Sequence, residues 1–273
     1  MTVTALCGRL GMSRQNYYRE ARQRQRRQVD ESLVVELVQR ERRLQPRLGG
    51  RKLFRMLQPE LAEAGVAMGR DRFFEILKQH GLLVEPRRRK ARTTHSGHGL
   101  PVYRNLLKGR QLSGPHEAWV SDQTYVRTDE GFVYLSLISD AFSRKVVGWD
   151  ASDSLEAEGS CRALKRALAQ LGEGKQPLHH SDRGVQYCSQ AYLEILGQWG
   201  LEVSMTESLH CYENAQAERL NGILKQEYGL GGCFRTKAQA RQAIREAIEL
   251  YNQRRPHLSL GYRTPEEVHQ AAA

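Results

Sequence analysis

Three carboxylates, Asp122, Asp182 and Glu218, are separated by 59 and then 35 intervening residues, and each sits in a context that aims it at one end of a shared sheet. With 31 acidic residues in the chain, a trio at some spacing is expected by chance, so the contexts carry the weight. In the run from Ala118 to Val126 alternate residues share a face, and Asp122 is the one acid among Ala118, Val120, Thr124 and Val126. A lone carboxylate there is costly unless a cation meets it, and a metal ion would do so. Asp182 closes the short strand pattern Leu178-His-His-Ser-Asp182, just ahead of a turn permitted by Gly184. Glu218 recurs with Asn214, Asn221 and Lys225 at steps of four, three and four, one polar stripe of a helix, with Ala217, Leu220 and Leu224 turned more toward the sheet.

Three converging carboxylates cannot all ionise comfortably, but two divalent cations about 4 Å apart reverse that cost and create a site for in-line phosphoryl transfer. One would activate a water or a DNA 3′-hydroxyl and the other stabilise the leaving oxygen. All-oxygen ligands favour magnesium or manganese over zinc. Lys225, two turns beyond Glu218, is placed to bind DNA phosphate beside the metals. The competing acids Asp140, Asp150 and Asp153 fall at strand ends or helix entries, where turn and capping roles suffice. His179 and His180 are adjacent on a strand pattern and so point to opposite faces, which argues against a shared metal.

The elements that must position these groups follow from periodicity. Residues 118–126, 132–139 and 145–151 read as an antiparallel meander. A helix over 155–171, a strand over 177–181, a helix over 189–199, a strand over 201–206 and a helix from about 213 follow. This is an α/β, ribonuclease-H-like order: a mixed sheet with helices on both faces, here spanning 116–235, in which the fourth strand lies beside the first. Residues 236–273 add an amphipathic helix over 237–251, opened by a capping box at Thr236 and Gln239, and a tail packing on the core.

Ahead of the core the pattern is all-α. Residues 1–29 read as a short helix-turn-helix-like segment, helical over 3–21 with a break at Gly11 and Ser13 as an N-cap. Residues 30–85 read as a helix-turn-helix domain, with helices from Asp30 to about Leu44, over 51–64 and over 70–80. The last helix carries Arg70 and Arg72 at the end that would enter a major groove. A plain three-helix bundle with a polar surface fits that stretch nearly as well. Residues 86–115 form a basic linker in which Arg87, Arg88, Arg89 and Lys90 are placed to follow a DNA backbone.

Charge divides the chain the same way. Residues 1–115 hold 25 Lys/Arg against 10 Asp/Glu, a net +15, whereas residues 116–273 hold 17 against 21, a net −4. A basic front on a slightly acidic body fits an arm for a polyanion joined to a domain with another task, because phosphate neutralisation dominates nucleic-acid affinity. Five scattered cysteines without a C-x-x-C pair indicate neither a disulfide framework nor a structural zinc. No apolar run is long enough for a membrane span, and the N-terminus lacks the pattern of a secretion signal, so the expected location is the cytoplasm.

Four ordered motifs carry a resemblance: Trp119-Val-Ser-Asp-Gln-Thr-Tyr125, His180-Ser-Asp-Arg-Gly-Val-Gln-Tyr187, Glu213-Asn-Ala-Gln-Ala-Glu-Arg-Leu-Asn-Gly-Ile-Leu-Lys225, and Tyr251-Asn-Gln-Arg-Arg-Pro-His257 followed by Thr264-Pro265. Over essentially its whole length the chain resembles the IS-three family of bacterial insertion-sequence transposases, enzymes of the DDE type with a core similar to retroviral integrases. The resemblance implies metal-dependent cleavage and joining of DNA strands at the ends of an element. Asp122, Asp182 and Glu218 would be the ligands and Lys225 would assist DNA binding. It also implies double-stranded DNA as partner, an oligomer of the chain on that DNA, and an upstream-frame helix-turn-helix and leucine-zipper protein joined by frameshifting. One departure is the loop Glu207-Ser-Leu-His-Cys211, where relatives tend to carry glycine. Two other readings compete: a catalytically silent DNA-binding regulator, against which the intact trio speaks, and a ribonuclease-H-type nuclease, against which the basic front speaks.

Overall fold

The computed structural model describes residues 2–85, 100–172, 174–207 and 214–271, which fall into two compact units, residues 1–85 and 86–273.

The first unit is helical. α1 (Val3–Leu10) is capped by Thr2, and α2 (Arg14–Leu44) by Ser13, whose hydroxyl accepts from Asn16 N at 3.1 Å. The sequence reading interrupted α2 between about residues 21 and 30, but the helix runs through, so the boundary expected at residues 29 and 30 falls inside it. The stretch from Ala21 to Asp30 lacks an apolar period, yet it is rich in Arg and Gln and contains neither Gly nor Pro, so nothing in it breaks a helix. α3 (Gly50–Glu63) and α4 (Arg70–Gln79) pack with the C-terminal part of α2. Val34, Val38, Leu53, Leu57, Phe73, Ile76 and Leu77 bury the apolar faces of all three. The turn between α3 and α4 passes through Gly65 at φ +72°, a left-handed conformation that a side chain would strain.

The second unit is built on a mixed sheet. β1 (Ala118–Thr128), β2 (Gly131–Asp140) and β3 (Val146–Ser152) form the expected meander. β4 (Leu178–Ser181) and β5 (Val203–Met205) extend it on the other side, giving the order β3-β2-β1-β4-β5, with the short β6 (Cys233–Phe234) also on β1. β1 runs antiparallel to β2 and parallel to β4, the ribonuclease-H-like arrangement. α5 (Ala157–Leu168) and α6 (Gln190–Gln198) cover one face through Trp119, Ile138, Val147, Leu164, Tyr192 and Leu196. α7 (Ala215–Glu227) and α8 (Lys237–Gln253) cover the other through Val126, Leu135, Leu137, Leu220, Leu224, Ile244 and Ile248. α5 lies very close to β3: a Cβ on Gly148 would stand 2.4 Å from the Ala163 carbonyl oxygen, so only glycine fits there.

The C-terminal motif locks this second face. Asn252 accepts from Val146 N and donates to Val146 O, clamping β3 to α8 at 2.9 and 3.0 Å. Arg255, 2% exposed, is bidentate to Glu227 at the end of α7. Thr264 caps α9 (Pro265–Ala271), a helix the sequence reading had left within a general tail.

Candidate active site

Asp122 and Asp182 are brought side by side by strand register. Ser121 pairs with Ser181 at the end of the β1–β4 ladder, so the next residue on each chain is the aspartate. β4 then stops while β1 continues, so both aspartates stand at the carboxyl end of β4, where open α/β sheets place their ligands. Asp122 lies on the face covered by α7 and is 9% exposed, and its Oδ1 accepts from Gln123 N at 2.8 Å. Asp182 is half-buried and accepts from Gly184 N at 2.9 Å, which shapes the turn after β4. Both carboxylates act on one group. The buried Tyr187 phenol is pushed well above its ordinary pKa by burial first, then by Asp122, with Tyr192 and Asp182 adding to it.

α7 is tied to the same place by the polar stripe. Asn214 donates to Ser121 O at 3.1 Å, and Asn221 donates to Asp122 Oδ2 at 2.6 Å. Both asparagines are buried, so their side of the stripe faces β1 and is part of the packed surface. Glu218 lies between them on that stripe and is exposed. Lys225 is half-buried, its Nζ 4.5 Å from the centroid of the Tyr125 ring. Nearby, Arg183 donates to the Thr206 and Glu207 carbonyls and so holds the exit of β5. The glycine-free loop beyond Glu207 lies outside the described residues, as do Arg87, Arg88, Arg89 and Lys90.

Among the described residues no three His, Cys, Asp or Glu side chains are gathered closely enough to hold a metal, so the trio does not form a closed cage here. The donors nevertheless suit a hard divalent cation: two carboxylates that each follow the last β1–β4 register pair, with Asn221 Oδ1 and Thr124 Oγ1 as buried oxygens without hydrogen-bond partners. His179 and His180 point apart, as expected. His179 Nε2 lies 2.8 Å from Ser121 Oγ and from Tyr192 OH, and His180 Nδ1 lies 2.8 Å from Ser204 Oγ. Burial, with His180 beside it, holds the pKa of His179 down to about 3.

The competing acids are accounted for. Asp140 accepts from His116 N and Ser143, Asp150 pairs with Arg162 and Arg166, and Asp153 pairs with Lys237 and Arg241. In the helical unit Arg70 and Arg72 do open α4, but Arg70 pairs with Asp71, and Arg72 with Glu31 and Glu75 at 3.0 and 2.7 Å. Sequence reasoning missed the role of Asn221. An amide three residues after Glu218 on the helix was its only signal.

The integrase core domain family matches residues 113–211, and a second family of that description matches residues 199–265. An uncharacterized 31 kDa protein of insertion element IS600 from Shigella sonnei is 37% identical over 98% of this chain and 100% of its own length. Transposase InsF of insertion sequence IS3A from Escherichia coli K12 is 33% identical over 97% of this chain and 93% of its own. The chain belongs to the IS3 family of insertion-sequence transposases. Among solved structures, the HTLV-2 integrase catalytic core domain in complex with magnesium is similar over 61% of this transposase chain and 99% of its own, at 22% identity and a TM-score of 0.45. The catalytic core domain of BIV integrase is similar over 57% and 95%, at 17% identity and a TM-score of 0.44. No helix among the described residues is long and apolar enough to cross a membrane.

Proposed function

We propose that this transposase cleaves and joins DNA strands at the ends of its own element, using Asp122, Asp182 and Glu218 to hold magnesium or manganese ions, two in number. The observation that carries the reading is the register that sets Asp122 beside Asp182 where β1 and β4 part. When bound, such ions supply Lewis acidity to the phosphate oxygens and lower the pKa of the attacking water or 3′-hydroxyl. The chain's own groups do the rest. Asn221 fixes one oxygen of Asp122 and leaves the other to Gln123 N, which orients the carboxylate before any ligand arrives. Asn214 anchors the start of α7 and so sets the height of Glu218 above β1. Lys225 offers a cation to DNA phosphate at the rim. Double-stranded DNA is the substrate partner in this reading, with the upstream-frame protein and further copies of the chain completing the assembly on it.

Replacing Asp122 or Asp182 with Asn, or Glu218 with Gln, removes one ligand charge with little change of shape. Each variant is expected to lose magnesium-dependent nicking and joining of DNA carrying the element's ends while still shifting that DNA in a gel. A variant that cleaved at near the wild-type rate would take its residue out of the site.

A further inference from the structure

Past Asp122 the edge of β1 changes hands. β4 partners residues 118–121 and β6 partners residues 127–128, so residues 122–126 lie between the two. Tyr125 projects there, on the face opposite Asp122, and pairs across the ladder with Tyr134, while Arg127 pairs with Phe132. Four side chains thus share the end of one face. Tyr125 is 45% exposed and Phe132 43%, and their ring centroids lie 5.2 Å apart at 78°. Tyr134 continues the row at 6.4 Å from Phe132. Cross-strand aromatic pairs steady a hairpin, but that role alone gives no reason to leave two large rings nearly half in water.

The cations beside the rings indicate what they are for. Lys225 belongs to α7, on the Asp122 face, yet its Nζ stands 4.5 Å from the Tyr125 centroid, so this side chain reaches past the stretch of β1 that, among the described residues, neither β4 nor β6 pairs. Arg127 is exposed on the ring face itself. Exposed π faces flanked by cations match unpaired nucleotides, with rings for the bases and ammonium or guanidinium for the phosphates. Tyr125 is three residues beyond Asp122, about 10 Å along the strand, within reach of a few nucleotides. We propose that Tyr125 and Phe132 form a stacking platform for unpaired bases of the DNA strand engaged at the Asp122 and Asp182 site, a role that rests on the transposase reading above.

The test uses the full chain and a single-stranded oligothymidylate of about 12 nucleotides carrying one internal 2-aminopurine, whose emission is quenched on stacking. Wild type, Tyr125→Phe and Phe132→Tyr should quench it. Tyr125→Ala and Phe132→Ala should lose the quenching and bind roughly tenfold more weakly at about 0.2 M salt, where contacts made by the basic front are weakened. Should the alanine variants melt early, Phe132→Leu, which keeps apolar bulk without a π face, carries the same expectation. Undiminished quenching in both alanine variants, or in Phe132→Leu, would overturn the platform. Asp122→Asn separates the two ideas: it should quench like wild type while failing to cleave. Cleavage by Asp122→Asn, with quenching still dependent on Tyr125, would sink the catalytic reading and leave the platform standing.

Discussion

The two units hold their candidate functional groups in different ways. In the core, the pairing of Ser121 with Ser181 ends the β1–β4 ladder one residue short of both Asp122 and Asp182, so backbone register delivers the two chains side by side at that point. In the helical unit, Arg70 and Arg72 stand on a helix surface, where long side chains choose among neighbours, and both have chosen acids of their own unit. Strand register therefore transmits position from sequence to site, whereas a helix face transmits only residue type.

If the core is the rigid partner in this comparison, its largest single loss should come from breaking the lock beneath α7. Arg255→Ala removes the bidentate guanidinium from Glu227 at a nearly dry contact and should destabilise the core by about 3–5 kcal/mol. Urea denaturation followed by tryptophan emission reads this directly, since Trp119, Trp149 and Trp199 all belong to the core unit. A loss under about 1 kcal/mol would mean the Arg255–Glu227 pair contributes little to holding α7.

A second effect of the core's dryness concerns pH. Folded His179 stays neutral down to about pH 3, while an unfolded histidine takes its proton near 6.5, so between these values the unfolded chain binds the extra proton. Stability should be level above about pH 6.5 and fall by a few kcal/mol as pH drops from there toward 4. His179→Gln should make that slope clearly shallower, with His269, held down to about 4 by burial, contributing to what remains. An equally steep slope in the variant would assign the acid sensitivity to other groups.

Asn221 sharpens the comparison within the site. Asn221→Ala removes a hydrogen bond to a buried carboxylate, about 1.5–3 kcal/mol, and should slow strand joining roughly ten- to a hundredfold with DNA binding unchanged. Asn221→Asp should do worse, because it sets a second negative charge against Asp122. Joining at the wild-type rate in both would reduce Asn221 to packing.

The smallest effect is expected in the helical unit. Arg72→Ala breaks partly exposed ion pairs and should cost no more than about 1 kcal/mol. With its charge already used by Glu31 and Glu75, the variant should keep the salt dependence of DNA binding. A slope reduced by about one unit would show that Arg72 leaves those acids for a phosphate.

Much of the core was legible in the sequence because alternation in β1 and the meander turns leave few topologies, and the strand order followed from them. Less visible was anything set by contacts between distant elements. The amide of Asn221 reads as one more polar residue on a stripe until α7 is laid against β1. β6 and α9 are too short to carry a period. The opposite error occurred in α2, where an absent apolar period over residues 21–30 was read as an interruption although the residues themselves favour helix. Helix propensity governs that stretch because no core contact is there to be read.

On the proposed reading Asp122, Asp182 and Glu218 hold a divalent cation together, although they are not gathered into a cage in this structure. Manganese binding to the full chain, followed by electron paramagnetic resonance in the absence of DNA and again with DNA bound, tests it without relying on turnover. Wild type should bind manganese, more tightly with DNA present, and Asp122→Asn, Asp182→Asn and Glu218→Gln should each weaken that binding. Undiminished manganese affinity in Glu218→Gln with DNA bound would contradict the account, since the third carboxylate would then lie outside the metal site.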